Sequence, residues 1–308
     1  MKLTMRPYQT EDDYRRIRAF LRHVMLANGL REMSWHVSRL DYWRWHVAAN
    51  CEGRTSIADC IFLWETADGR LAAVLNQEGA GDVHLQVNPE LRTPALEEEM
   101  LAVAEAHLAA DRDGRRVLVV WRDDQDAMRL ELLKRRGYNR GRWTESQWRR
   151  DLDAPIPGVS VPSGYTVRAL GDVDELPARS WASWRGFHPD APDEEYEGWE
   201  WYLGIQSCPL YRRDLDLVAV APGGEIASLC TIWYDDVTRT ACVEPVATVP
   251  EHRRLGLARA TISDGLRRVQ RLGATRAFVS GYEPGANALY LSVLSAEHDR
   301  SEQWVKEM

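Results

Sequence analysis

Apolar and polar positions along the chain change period repeatedly, and this pattern predicts strands that alternate with helices. In the first half a helix start is marked by Thr10, a hairpin by the Asp68-Gly69 turn, and a second helix start by Pro94. The predicted elements are a strand at 3–8, helices at 10–25 and 34–50, strands on either side of 68–69 and at 83–87, a helix at 94–110, a strand at 115–121, a helix at 126–138 and a closing strand at 143–152.

The second half repeats this order of elements, which is strand, two helices, hairpin, strand, helix, strand, helix, strand. Its elements are a strand at 164–170, helical pieces at 173–187 and 193–206, a hairpin around Gly223-Gly224, a strand at 241–249, a helix at 254–272, a strand at 276–282, a short helix at 287–295 and a final strand at 302–308. A repeat of about 150 residues indicates a duplicated domain, since solenoid repeats are about 20–50 residues long. We expect an N-terminal domain at 1–153, a proline-containing linker at 154–164 and a C-terminal domain at 165–308.

One turn in the second half has the composition of a phosphate site. The segment Arg253–Ala258 fits R-x-x-G-x-A and joins a strand to a helix whose apolar face carries Ile262, Leu266 and Val269. Such a loop directs several backbone N–H groups and the positive end of the helix dipole at one point, where an anion can bind. The alternative is an ordinary strand–turn–helix in which the glycine only shapes the turn.

Three motifs resemble the GNAT superfamily of acetyl-CoA-dependent N-acetyltransferases. They are the run E-P-V-x-T-x-P-x-x-R-R-x-G-L from Glu244, the later A-N-x-L-Y ending at Tyr290, and LLKRRGY in the first half. The resemblance covers nearly the full chain and implies two tandem GNAT domains, an organisation also seen in mycothiol-synthase-like enzymes. Each domain would have an α+β fold in α/β/α layers, with a mixed, mostly antiparallel sheet flanked by helices.

The resemblance also implies an acyl donor, acetyl-CoA, and the residues that hold it. The strand backbone would bind the pantetheine arm, the arginine–glycine loop would bind the pyrophosphate, and the motif asparagine would contact the cofactor or cap its helix. The implied contacts are Val246, Ala247, Thr248, Arg253, Arg254, Leu255, Gly256, Leu257, Ala258, Arg259 and Asn287.

Acetyl transfer from a thioester to an amine needs a base for the amine and an acid for the leaving thiolate. The family position of the base falls on Glu244, for which the alternative is a carboxylate that braces the strand. The acid would be Tyr290, for which the alternative is half-buried packing. Leu294-Ser295 departs from the family's usual G-F, which puts the geometry around Tyr290 in question. Cys242 has no histidine obviously paired with it, so we expect a core cysteine and direct transfer.

The first half lacks the glycine loop. Its corresponding helix starts at Pro94 and carries three consecutive glutamates at 97–99, which would repel a pyrophosphate. The alternative role of these acids is compensation of the helix dipole. We therefore expect a degenerate N-terminal domain that does not bind acyl-CoA.

The composition limits the classes of molecule that the protein is expected to bind. The net charge of −8 disfavours nucleic acid and membrane surfaces, and no apolar run approaches the ~20 residues of a membrane span. Five scattered cysteines indicate neither a metal site nor disulfides, so a reduced, cytoplasmic protein is expected, as a monomer or homodimer. The substrate would be a small-molecule amine, and the acidic, aromatic segment 194–201 with His188 would suit a cationic one. The competing hypotheses are a non-catalytic acyl-CoA-binding module and a protein-interaction scaffold without cofactor.

Overall fold

The structure is a computed structural model that describes residues 2–51, 56–156 and 158–308. It divides into two compact units. Unit 1 contains the residues up to Gln147 together with Asp299–Met308, and unit 2 contains Trp148–His298. The expected linker at 154–164 includes Pro157, which lies outside the described residues.

Unit 1 follows the predicted order of elements. Its helices are α1 (Glu11–Ala27), α2 (Val37–Tyr42), α3 (Ala48–Asn50), α4 (Ile57–Cys60), α5 (Pro94–His107) and α6 (Ala127–Arg135), with a π-helical turn at Trp43–Val47 between α2 and α3. Its strands are β1 (Leu3–Pro7), β2 (Ile61–Thr66), β3 (Leu71–Gly79), β4 (Asp82–Val87), β5 (Ala110–Arg112), β6 (Arg115–Asp123), β7 (Asn139–Asp151, whose last residues belong to unit 2) and β13 (His298–Glu307).

Unit 2 contains the predicted elements of the second half except the final strand, and one helical piece is shorter than predicted. Its helices are α7 (Leu176–Phe187), α8 (Trp201–Gln206), α9 (Leu257–Leu272) and α10 (Pro284–Val293), and its strands are β8 (Thr166–Ala169), β9 (Asp216–Val220), β10 (Ile226–Asp235), β11 (Thr240–Thr248) and β12 (Arg276–Gly281). The predicted helical piece at 193–206 is helical mainly in its second part, since α8 begins at Trp201. Gly198, with φ of 101°, interrupts the segment before it.

The two units share one strand order. The sheet runs β1-β2-β3-β4-β6 in unit 1 and β8-β9-β10-β11-β12 in unit 2, and β13 and then β7 follow β6 in unit 1. Among these shared neighbours the pairs β4/β6 and β11/β12 are parallel and the other pairs are antiparallel. The last strand, β13, pairs antiparallel with β6, from Ser301↔Asp123 to Glu307↔Val117. Residues 299–308, assigned to the C-terminal domain in the sequence analysis, therefore belong to unit 1 because their strand partner lies there.

The core of unit 2 fixes α9 against the sheet. Ile262, Leu266 and Val269, the predicted apolar face, are fully buried in a cluster with residues of β10 and β11. Gly265 allows close packing, because a Cβ there would lie 2.3 Å from Ile232 Cδ1. The start of α9 is thereby held at one end of the sheet, next to the end of β11.

The described residues contain no helix that is both long enough and apolar enough to span a bilayer.

Candidate active site

β11 leaves its parallel neighbour part-way along. The ladder joins Thr240–Cys242 to Arg276–Phe278, whereas β11 continues to Thr248. On its other side β11 stays paired with β10, with a register shift between Cys230 and Ile232 opposite the cis Glu244-Pro245 bond. Proline cannot donate to a ladder, so the irregularity falls where the sequence predicts it. The last residues of β11 thus carry backbone groups that β12 does not use.

The turn after β11 exposes the start of α9. Gly256 is the N-cap residue and has φ of 76°, a left-handed conformation that favours glycine. A Cβ at this position would have no atom within 4 Å, so the space beside it is open. The first N–H groups of a helix have no partner within it, which leaves those of α9 directed at this space. The turn therefore has the geometry of an anion site.

Arg253 binds the turn to the rest of unit 2. Its Nε donates to Thr248 O at 3.2 Å and its Nη2 donates to Gly186 O at 2.9 Å. His252 precedes it and shares a hydrogen bond of 2.8 Å between Nδ1 and the Tyr165 hydroxyl. Two nitrogens of the predicted phosphate ligand Arg253 are thus used to fix the loop next to α7 and β11.

A single cleft of about 730 Å³ brings most predicted site residues together. Its lining includes the predicted residues Val246, Ala247, Thr248, Arg253, Arg254, Gly256, Leu257, Ala258, Arg259 and Tyr290. It does not include Leu255, which is solvent-exposed, nor Asn287 or Glu244. Residues that the motifs did not select also line it, namely Gly186, His252, Glu283, Gly285, Ala286, Ala288 and Leu289. Most of these belong to α10, and the predicted helix there was the feature of the sequence from which they could have been found.

Tyr290 is a buried phenol at the wall of this cleft, with 8% of its surface exposed. Burial raises its pKa well above the ordinary value, and the nearby Cys230, Glu244 and Cys242 add to the effect. Gly281 makes room for the ring, since a Cβ there would lie 3.1 Å from Tyr290 Cδ2. Tyr290 therefore stays protonated near neutral pH and can donate a proton.

Glu244 is half-buried on β11, and its main chain is fixed by a tryptophan. Trp233 Nε1 donates to Glu244 O at 2.5 Å, and the Trp233 ring contacts that of Tyr211. Glu244 is close enough to Tyr290 for its charge to act on the pKa of the phenol. The two predicted catalytic side chains are thus electrostatic neighbours.

Comparison with known proteins identifies the family to which part of the chain is similar. Residues 173–294 match the model of the Acetyltransferase (GNAT) family. These residues belong to the GNAT acetyltransferases. The match contains β9–β12 and α7–α10, and the residues that line the cleft and both predicted catalytic residues lie within it. A comparison with curated protein sequences gives no match.

Solved structures extend the likeness in fold to the whole chain. A GCN5-related N-acetyltransferase from Sphaerobacter thermophilus aligns with a TM-score of 0.68 at 20% identity, over 99% of this chain and 95% of the other. A tandem GNAT protein from the clavulanic acid biosynthesis pathway aligns with a TM-score of 0.65 at 16% identity, over 99% and 98%. The predicted GNAT resemblance and the mixed, mostly antiparallel sheet flanked by helices are confirmed.

In unit 2 the side chain of Asn287 has a hydrogen-bond partner within the protein. Its Oδ1 accepts a hydrogen bond of 2.8 Å from Trp148 Nε1. The same oxygen would lie 2.4 Å from a Cβ at Gly281. The helix N-cap of α10 is Glu283, so Asn287 does not cap this helix. The contacts of Asn287 fix α10 beside β12, which also sets the position of Tyr290 one turn later.

The acidic, aromatic segment after α7 folds onto that helix. The rings of Trp181, Trp184 and Tyr196 contact one another with centroids 5.2–5.5 Å apart. His188 stacks on Trp184, and the Tyr196 hydroxyl donates to Ser180 Oγ at 2.7 Å. Unit 2 therefore has a half-buried aromatic cluster at the C-terminal half of α7, the helix whose Gly186 lines the cleft.

Unit 1 differs from unit 2 at the start of α5, the helix that corresponds to α9. In the first turn of α5 the side chain of Glu97 is fully buried, and its carboxylate lies 2.5 Å from Arg92 Nε and 2.8 Å from Arg129 Nε. The three glutamates at 97–99 were predicted to share one role, but only Glu97 enters the interior, whereas Glu98 is half-buried and Glu99 is exposed. The start of α5 thus carries a buried, ion-paired carboxylate, whereas the start of α9 has open space beside Gly256.

Proposed function

We propose that unit 2 binds acetyl-CoA and transfers its acetyl group directly to the amine of a small molecule. One observation carries this proposal. The freed end of β11, the glycine-led start of α9 and the buried phenol of Tyr290 all line the same cleft of about 730 Å³. Its volume lies within the range of ~300–1,000 Å³ that is typical of small-molecule sites.

The cleft offers complementary groups to the two ends of the donor. The N–H groups of residues 256–259, aided by Arg254 and Arg259, would receive the pyrophosphate at the α9 terminus. The backbone of Val246–Thr248 would pair with the pantetheine arm, and one N–H group there would polarise the thioester carbonyl. Asn287 would act by holding α10 in place.

The two catalytic roles rest on the family positions of Glu244 and Tyr290 and on the electrostatic interaction between them. The Glu244 carboxylate would accept a proton from the acceptor amine as its nitrogen forms the new bond to the acetyl carbon. The bond from this carbon to sulfur breaks, and Tyr290 would donate its hydroxyl proton to the leaving thiolate. The phenol carries its proton at neutral pH, which this role requires.

The test is release of free CoA thiol by the full chain in the presence of an amine library. We expect Glu244→Gln to lower kcat about 100-fold or more while acetyl-CoA binding is kept. Tyr290→Phe should lower kcat without weakening binding. Matched controls are Glu251→Gln, at an exposed glutamate outside the cleft lining, and Tyr234→Phe, whose hydroxyl donates to Leu272 O.

The outcomes separate three functions. Binding of acetyl-CoA without thiol release for any amine would favour the non-catalytic module, and absence of binding would favour the scaffold. Thiol release that survives Glu244→Gln unchanged would remove Glu244 as base.

The library should contain cationic and neutral amines of equal size. Between Gly186 and Tyr211 the chain has six acidic residues and neither lysine nor arginine. Together with the aromatic cluster of Trp181, Trp184 and Tyr196, this supports an acceptor with a second positive charge. Faster turnover of monoamines than of matched diamines would contradict this preference.

We also propose that unit 1 does not bind acyl-CoA, because Glu97 and its arginine partners fill the start of α5.

A further inference from the structure

Unit 1 contains a small polar cavity between two strands. The parallel ladder of β4 and β6 is limited to Asp82↔Val119 and Val83↔Val120. Beyond it the two strands line a cavity of about 40 Å³, which also borders the segment at 32–35 and β7. Its volume is far below the roughly 730 Å³ of the cleft in unit 2, which leaves no room for a pantetheine arm.

Two buried N–H groups in the wall of this cavity have no hydrogen-bond partner among the residues that the structure describes. Trp35, with 3% of its surface exposed, leaves Nε1 without an acceptor, and Arg122, with 4% exposed, leaves Nε without one. The other nitrogens of Arg122 are used, since Nη1 donates to Asp126 O at 2.9 Å and Nη2 donates to Glu302 Oε1 at 2.6 Å. Unsatisfied buried donors cost free energy, so the cavity favours a ligand that brings an acceptor oxygen.

Charged groups of both signs line the cavity. Three guanidinium groups, on Arg39, Arg122 and Arg129, and three carboxylates, on Glu32, Asp123 and Glu145, belong to its wall. Each guanidinium group also forms an ion pair with a carboxylate outside the lining, namely Glu78, Glu302 and Glu97 respectively. The three arginines therefore do not by themselves neutralise the lining carboxylates, which favours a ligand that brings an ammonium group as well as an acceptor oxygen.

We propose that this cavity binds a small zwitterionic amino acid. The carboxylate of the ligand accepts hydrogen bonds from Trp35 Nε1 and Arg122 Nε, and its ammonium group faces the lining carboxylates. The indole of Trp35 is fixed for this role, because its ring packs on His84 with centroids 4.9 Å apart and its backbone N–H donates to Gln86 Oε1 at 2.9 Å. The site is independent of the acetyl-transfer cleft.

The experiment is calorimetric titration of the full chain with glycine and alanine. Acetate and methylammonium, which carry one end each, serve as comparison probes at equal ionic strength. We expect one amino acid per chain, and weaker binding of both single-ended probes. Trp35→Phe, which removes the N–H group and keeps a ring, should weaken amino-acid binding about tenfold or more. Arg122→Lys, which removes Nε and keeps the charge, should do the same.

The matched control is Trp64→Phe, because the buried Trp64 Nε1 also lacks a partner but Trp64 does not line the cavity. The affinity of the Trp64→Phe variant for the amino acid should equal that of the wild type. The proposal is overturned if neither amino acid binds at millimolar concentration, or if acetate alone binds as tightly. Equal weakening in Trp35→Phe and Trp64→Phe would also overturn it. Since binding is measured directly, a failure here leaves the acetyl-transfer proposal unaffected.

Discussion

Replacing Glu97 by glutamine should destabilise unit 1 by about 3 kcal/mol. The change is nearly isosteric but removes a negative charge from a fully buried group. Arg129, itself buried, donates to Glu97 through Nε at 2.8 Å and through Nη2 at 3.0 Å. After the substitution the nearest carboxylate paired with this guanidinium among the described residues is that of Asp126, 3.8 Å away.

The magnitude follows from the pKa of Glu97. Burial alone would raise this pKa, but the charges and hydrogen bonds of Arg129 and Arg92 lower it from 4.5 to about 2. That lowering corresponds to roughly 3 kcal/mol in favour of the ionised form in the folded protein. Because the folded pKa is the lower one, this stability is fully present above pH 4.5 and is lost as the pH falls through about 2.

Hydrogen exchange of α5 and α6 measures the effect within unit 1. We expect protection of these helices to fall by roughly 100-fold at pH 7 in Glu97→Gln, and the difference from wild type to shrink below pH 4.5. Glu99→Gln is the matched control, since Glu99 is an exposed carboxylate two positions later on the same helix. Should both variants lose protection equally, the buried ion pair would not be what stabilises this helix start.

Three further predictions concern the cleft of unit 2. Gly256→Ala should weaken acetyl-CoA binding about tenfold in a titration, because φ of 76° costs an L residue roughly 1–2 kcal/mol. The control Gly224→Ala, at φ of 96° in a hairpin, should leave the affinity unchanged. Equal affinity in both variants would contradict the assignment of Gly256 to the binding site. Trp233→Phe should lower kcat about tenfold with KM for acetyl-CoA unchanged, because the Glu244 carbonyl loses its donor, and an unchanged kcat would show that this contact does not position the base. Calorimetry should give one acetyl-CoA per chain, and a stoichiometry of two would contradict the proposed closure at Glu97.

Elements marked by local chemistry could be predicted from the sequence. Gly69 and Gly224 have φ of 82° and 96°, which explains why each marks a hairpin turn. Thr93 accepts a hydrogen bond from the Leu96 N–H through its hydroxyl, so the start of α5 is encoded within four residues. The cleft motif was equally accessible, because β11, the turn and the start of α9 are consecutive in the chain.

Features that depend on distant partners could not be predicted. Arg129, the main partner of Glu97, lies 32 positions away, so the three glutamates of α5 have the same appearance in the sequence. Gly186 enters the cleft because α7 packs on β11, where a Cβ would lie 2.8 Å from Ala247 Cβ. The pattern of β13 predicts a strand correctly, but a strand's own residues do not specify the neighbour with which it pairs.

The two helix starts show why a shared fold does not give the units a shared ligand. Both units keep the same strand order and a parallel pair that separates, so each presents a helix N-terminus in the same place. A helix N-terminus favours negative charge from whatever source is nearest. In unit 1 the start of α5 carries the buried Glu97, whose carboxylate is paired with Arg92 and Arg129. In unit 2 Gly256 leaves the position open, so the same preference is available to a ligand. Removing Glu97 would not convert one unit into the other, because Pro94 has no N–H group to offer and no glycine begins α5.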